Sequence, residues 1–181
     1  MRPRLDAMEP SIRQVWDWLA EVADPEIPVI SVVDLGIVRE VTWDGDPSRE
    51  CRVTVTPTYS GCPATDVIAH AIAGKLKERG VRHVRVDTRL APAWTTDWLT
   101  EEAREKLRRY GIAPPAQRAT ATEHIVDLSL IRRRVDTSPP VTCPRCGSTH
   151  TERVSEFGST PCKALYRCCA CREPFDYFKC H

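Results

Sequence analysis

The cysteines near the C-terminus constrain this chain more than any other feature. Cys143-Pro144-Arg145-Cys146 and Cys168-Cys169-Ala170-Cys171 are two C-x-x-C units separated by 21 residues. Each unit can offer two thiolates from one tight turn, and two such turns complete a tetrahedron around a single ion. The separation is close to that of four-cysteine zinc ribbons, if slightly long. A module of roughly 40 residues buries little core, so a bound metal is expected to supply most of its stability. The expectation is a zinc-ribbon-like β module over residues 141–181, with Cys143, Cys146, Cys168 and Cys171 as ligands. Zinc suits a closed tetrathiolate site best, and iron accepts the same ligands.

The remaining cysteines sharpen this reading. Of nine in the chain, seven lie beyond residue 140. Such crowding in a reducing compartment reads as metal binding, and an odd total argues against a fully paired disulfide framework. Cys162, Cys169 and Cys180 are left over. Cys162 follows the turn-rich Phe157-Gly158-Ser159-Thr160-Pro161 and reads as a spare thiol, a second-site ligand or an inert residue. Cys169 is the odd residue inside its knuckle. Cys180-His181 is a weak candidate for adventitious metal.

The bulk numbers exclude some classes. A chain of 181 residues with 41% hydrophobic and 28% charged residues suits a soluble globular domain plus a smaller module. A net charge of +1 gives no electrostatic case for nucleic acid or membrane. Met1 to Pro10 lacks the apolar core of a signal peptide, and no run approaches the ~20 apolar residues of a membrane span. A cytoplasmic location is expected.

The first part of the chain reads as alternating helices and strands. Ser11-Ile12-Arg13-Gln14 is a capping box, and Ile12, Val15, Trp16, Leu19 and Val22 follow at helical spacing. Pro25 ends that helix. Asp24 to Gly36, with two prolines, is an extended loop carrying Asp24, Glu26 and Asp34. Their carboxylates either cap local turns or form an acidic loop beside the next loop of interest. Ile37–Trp43 and Cys51–Thr56 read as a hairpin, with Cys51 on its apolar face. A helix follows over Ala64–Arg79, then a strand over Val81–Thr88. His70 reads as a surface residue. Trp94 and Trp98 lie in a loop and either cover the core edge or face a partner. Thr100 caps a short helix that ends before Gly111. The composition then shifts between Pro114-Pro115 and Pro139-Pro140. The partition is a first domain over 1–112, a linker over 113–140 with a docking strand at Ile125–Ile131, and the cysteine module. Arg132-Arg133-Arg134 reads as a solvated face, with an acidic partner as the alternative. The fold class is α+β: a small mixed sheet packed by helices, then the β module.

Cys62 sits in Thr58-Tyr59-Ser60-Gly61-Cys62-Pro63, between a strand and a helix. Unpaired N–H groups and the dipole at a helix start favour an anion, and reactive cysteines are often found there. Pro63 suits the first helical position. Against this, an isolated cysteine is commonly a small buried apolar residue. A thiol enzyme is the weakest reading, because no histidine has a local tie to Cys62.

Asp24-Pro25-Glu26, Asp34-Leu35-Gly36 and Thr58-x-x-x-Cys62-Pro63 resemble the MIP18 family (DUF59- or SufT-like) of iron–sulfur assembly factors, over roughly Ser11–Leu90. Ala91–Trp98, Gly111–Pro115, the four-cysteine module, Ser155–Thr160, Cys162–Leu165 and Glu173–Lys179 resemble the D-subunit family of the phenylacetyl-CoA epoxidase system. That second likeness runs over nearly the whole chain. It implies a non-catalytic accessory role in aerobic phenylacetate degradation, where other subunits supply the di-iron oxygenase and its iron–sulfur reductase. It also implies those subunits as partners, and iron–sulfur carriers with them. In the wider family the cysteine matching Cys62 is the functional thiol, and the acidic loop matching Asp24 and Glu26 lies near it. The expectation for this chain is that Cys62 holds a cluster, an iron or a persulfide transiently, with Asp24, Glu26, Asp34 and Thr58 as its supporting loop. The alternative function is a non-catalytic structural or docking subunit of the oxygenase.

Overall fold

The computed structural model describes residues 10–45, 49–115 and 140–179. The expected strand at Ile125–Ile131, the arginine run and Cys180-His181 lie outside them. The described residues form two compact units. One holds those up to Trp94 together with Trp98–Ala103; the other holds Thr95–Asp97 and those from Arg104 onward.

The first unit opens with α1 (Ile12–Leu19), started by the expected capping box. Ser11 Oγ accepts the Gln14 N–H at 3.2 Å, and Gln14 Oε1 accepts the Ser11 N–H at 2.8 Å. The helix buries Val15 and Leu19 completely, and each such side chain contributes about 1.5–3 kcal/mol. The loop that follows closes on itself: Asp24 N–H donates to Ile30 O, and Val32 N–H to Val22 O. Ile27, Ile30, Val32 and Leu35 all point inward from it.

The sheet of this unit has the order β1-β2-β3, from β1 (Val38–Trp43), β2 (Cys51–Val55) and β3 (Val84–Thr88). β1 and β2 pair antiparallel, as the hairpin reading expects, and β2 and β3 pair parallel. A parallel pair needs a crossover, supplied by α2 (Thr65–Glu78), which buries Ile68, Ile72 and Leu76. Cys51, Val53 and Val55 alternate onto the buried face, and Cys51 is fully buried. The β2-to-α2 turn therefore opens at the C-terminal ends of two parallel strands, and Cys62 lies in that turn. α2 begins at Thr65, with Ala64 as its cap residue, so Pro63 precedes the helix instead of opening it.

Trp94 covers the core edge, as one sequence reading has it: it is buried, and its indole N–H donates to Leu35 O at 2.9 Å. Gly36, at φ +65°, meets Trp98 so closely that a Cβ there would lie 2.7 Å from both Trp98 Cβ and Trp98 O. Gly36→Ala is expected to cost at least about 2 kcal/mol, combining a left-handed backbone penalty with a backbone clash that no rotamer relieves. Urea unfolding of the variant measures it.

The second unit contains most of α3 (Glu101–Tyr110) and a four-stranded sheet of order β4-β7-β6-β5. Its strands are β4 (Ile112–Ala113), β5 (Thr151–Ser155), β6 (Lys163–Cys168) and β7 (Pro174–Phe178). β5, β6 and β7 form an antiparallel meander, and β4 joins β7 in parallel. Thr100 caps α3 as expected, accepting the Ala103 N–H at 3.0 Å. Buried Arg104 donates to Pro115 O at 2.9 Å and Thr96 O at 2.8 Å, fixing the chain on either side of the helix. No helix among the described residues is long and apolar enough to cross a membrane.

Candidate functional site

The second unit gathers its cysteines as the spacing requires. Cys143 and Cys146 flank a turn closed by Gly147 N–H donating to Cys143 O, with Gly147 at φ +76°. Cys168 ends β6, and Cys171 follows in the next turn. The Cys143 and Cys171 sulfurs are 3.8 Å apart, and those of Cys146 and Cys168 are 3.6 Å apart. All four sulfurs lie within 4.8 Å of one another. A tetrahedron with arms of ~2.3 Å has sulfur–sulfur edges of about 3.8 Å, so the donor set fits a tetrathiolate metal ion. Among the described residues no other group of three or more His, Cys, Asp or Glu converges in this way.

The surroundings suit the same role. Cys143 and Cys168 are buried in the core cluster of Ala113, Val141, Ala164, Tyr166 and Phe175, so the ion would tie the turns to the sheet. The Cys171 N–H reaches Cys168 Sγ at 3.5 Å. It and the Ala170 N–H hold the Cys168 thiol down to about 6. The Glu173 N–H favours the Cys171 thiolate, but burial and three neighbouring sulfurs push that thiol up to about 12. Four adjacent sulfurs cannot all ionise without a cation between them, which is what a bound metal provides.

Cys62 is a different site. The turn is closed by Cys62 N–H donating to Tyr59 O at 3.2 Å, and Cys62 O accepts the Thr65 N–H and the Thr65 hydroxyl at 3.2 and 2.9 Å. The thiol is half-buried, and burial pushes it above its ordinary value of 9.0. The Ala64 N–H and the Thr65 hydroxyl favour the thiolate, while the charges of Glu26 and Asp24 oppose it. The anion-favouring helix start is therefore present but outweighed. The charge beside the thiol is one of the two alternatives the sequence offers for Asp24 and Glu26, whereas the depth of the turn is set by tertiary packing and has no local signal. Thr65 is a functional neighbour that the sequence signals only as a hydroxyl at a helix start.

The structure brings Asp24 and Glu26 within electrostatic reach of Cys62. Asp24 is buried, and its Oδ1 accepts the N–H groups of Glu26 and Ile27 at 2.9 and 2.8 Å. Asp34 is engaged in a reciprocal turn: its Oδ2 accepts the Ser31 N–H, and Ser31 Oγ accepts the Asp34 N–H, both at 3.0 Å. Thr58 is buried at the start of the Cys62 loop. Cys162 is buried in the other unit, 3.0 Å from Thr160 Oγ1. His70 is exposed, its Nδ1 facing Asp66 O at 2.7 Å. Alkylation of Cys62 is expected to stay slow at neutral pH and to keep rising above the ordinary thiol range, because a raised thiol is protonated there. Glu26→Gln is expected to move the profile to lower pH. Iodoacetamide rates against pH, with the Cys62→Ser protein as blank, check both; a plateau near neutrality would contradict them.

Comparison with known proteins bears on both sites. A protein of Escherichia coli K12, provisionally named as the D-subunit of 1,2-phenylacetyl-CoA epoxidase, is 50% identical over 171 residues, covering 94% of each chain. The chain belongs to this D-subunit family. Residues 131–179 match the PaaD zinc beta ribbon domain, and residues 12–87 match the iron–sulfur cluster assembly protein family. An Fe-S protein maturation auxiliary factor of Porphyromonas gingivalis is 39% identical over 90 residues, covering 49% of this chain and 83% of that one. The crystal structure of a DUF59 domain from Bacillus anthracis aligns with a TM-score of 0.48 at 27% identity, covering 52% of this chain and 89% of that one. By its two family matches and its four-cysteine cluster, the chain joins a part like iron–sulfur cluster assembly proteins to a cysteine ribbon, the α+β class and four-cysteine module expected from the residues.

Proposed function

We propose that this chain assembles or matures the iron–sulfur or di-iron centres of a phenylacetyl-CoA epoxidase, with Cys62 as the transient ligand or carrier thiol. The observation that carries this reading is a half-buried thiol beside the Glu26 and Asp24 charges, which disfavour its ionisation. A cation reverses that balance: it is attracted by the carboxylates and displaces the thiol proton. Such a ligand holds metal conditionally and lets it go when a better-equipped acceptor arrives. A single thiol suits delivery, as the tetrathiolate ribbon suits retention. In this reading Thr58 and Asp34 shape the loops, zinc occupies Cys143, Cys146, Cys168 and Cys171 as a structural ion, and Cys162 packs the ribbon. The work takes place in the cytoplasm, with the oxygenase and reductase subunits and iron–sulfur carriers as partners. The chain itself performs no catalysis.

The test is anaerobic loading with ferrous iron and sulfide, followed by iron analysis and the visible spectrum. Wild-type protein is expected to take up iron beyond the ribbon's content, and Cys62→Ser to lose that increment while keeping the ribbon metal. Equal loading of both proteins would sink the reading.

A further inference from the structure

The metal module reaches beyond the stretch that carries its cysteines. The matched ribbon domain begins at residue 131, yet its sheet takes the strand β4 from Ile112–Ala113. Two residues of strand hold little by ladder bonds alone, so other contacts must keep them in place. Ala113 supplies one. It is 1% exposed and shares a core cluster with Cys143 and Cys168, two of the proposed ligands.

Arg145 supplies another. It stands between Cys143 and Cys146, in the first knuckle. Its guanidinium lies against Gly111, the residue that turns α3 into β4 at φ +96°. A Cβ on Gly111 would fall 2.9 Å from Arg145 Nη2 and 3.2 Å from Cζ, so the missing side chain is what admits the group. The knuckle itself is held unevenly. Burial fixes its Cys143 side, together with the Cys143 N–H bond to Ser148 O at 2.9 Å. Cys146 is exposed, so packing does little to hold it. Its sulfur lies within 4.8 Å of three others, which once ionised need a shared cation. The Cys146 side of the knuckle, and Arg145 with it, therefore depends on metal. A competing anchor exists on the other side: Arg104 of α3 donates to Pro115 O at 2.9 Å.

We propose that residues 111–113 form a metal-dependent strap: Arg145 latches them to the ribbon when the four cysteines hold an ion, and the latched strap strengthens the hold on that ion. Linkage makes the effect mutual, since a metal that stabilises the strap is stabilised by it to the same degree. The coupling presupposes that Cys143, Cys146, Cys168 and Cys171 are the ligands, and it adds to them three residues from before the linker.

Two measurements on the full-length chain test this together: zinc affinity by competition with a chelator, and amide hydrogen exchange at residues 111–113. Removing zinc is expected to speed exchange there at least about fivefold. Arg145→Met keeps the apolar stem and loses the guanidinium. It is expected to weaken zinc binding at least about fivefold, and to speed exchange at 111–113 with zinc still bound. Arg145→Lys keeps the charge without the planar fork, and is expected to behave like Arg145→Met. Arg153→Met, at an exposed arginine of β5, is expected to change neither quantity. Exchange that ignores zinc removal would mean that Arg104 holds the segment unaided, and would overturn the strap. So would wild-type zinc affinity in Arg145→Met, or full restoration by lysine, which would assign the effect to charge near the sulfurs. A wild-type chain that binds no zinc refutes the ligand reading as well; one that binds zinc no better than Arg145→Met refutes the strap alone.

Discussion

Cys168→Ser is expected to strip the ribbon of its metal and melt residues 140–179, leaving the first unit folded. Cys168 is fully buried, within 4.8 Å of three other sulfurs, and shares the module's core with Tyr166 and Phe175. Its loss removes one of four ligands and puts a hydroxyl among three thiols that repel one another once ionised. Structural zinc contributes roughly 10–16 kcal/mol to small modules of this kind, more than the apolar cluster of so short a segment supplies. The first unit has its own core in Leu19, Val53, Ile72 and Leu76, far from any sulfur ligand in sequence. Elemental analysis and two-dimensional amide spectra check this. Full metal stoichiometry in the serine variant would contradict the ligand assignment, and melting of both units together would contradict the expected survival of the first.

Cys62→Ser is expected to lower epoxidase activity at least about tenfold in cells that depend on this chain, without changing the chain's own stability by much. Serine keeps the shape of the side chain, so the turn closed by Tyr59 O and the bonds from Thr65 to Cys62 O survive. What goes is a soft ligand with an ionisable proton. Altering a group that merely orients a metal ligand already costs roughly 10–100-fold in affinity, so removing the ligand itself costs at least as much. If Cys62 only fills space, Cys62→Ala and Cys62→Ser both keep full activity. The effect is therefore read against melting temperature, which the account expects to stay within a few degrees of wild type.

Much of the fold was legible because local chemistry set it. The Ser11–Gln14 box, the alternation in Cys51–Val55, the apolar stripe of α2 and the Thr100 cap each write a short-range signal that the structure repeats. The tetrathiolate was legible for the same reason, since two tight turns at suitable spacing leave the sulfurs few places to go. Features set by distant partners were not legible. β4 is two residues long, too short for any period, and exists because β7 offers it an edge. The burial of Lys163 beside Asp176, thirteen positions further along the chain, is likewise set by a distant partner. At the Cys62 site the helix start suggested a thiolate. The depth of the turn, a tertiary fact, reverses that balance, and the acidic loop that the sequence allows beside it adds to the effect.

If Cys62 passes metal to an epoxidase, the metal content of its partners depends on that thiol. Iron content of the oxygenase and reductase, purified from cells carrying either wild-type chain or Cys62→Ser, tests it most directly. The account predicts equal amounts of polypeptide, with iron in at least one component falling to the level found in cells lacking the chain. Full iron in every component alongside the serine variant would contradict it.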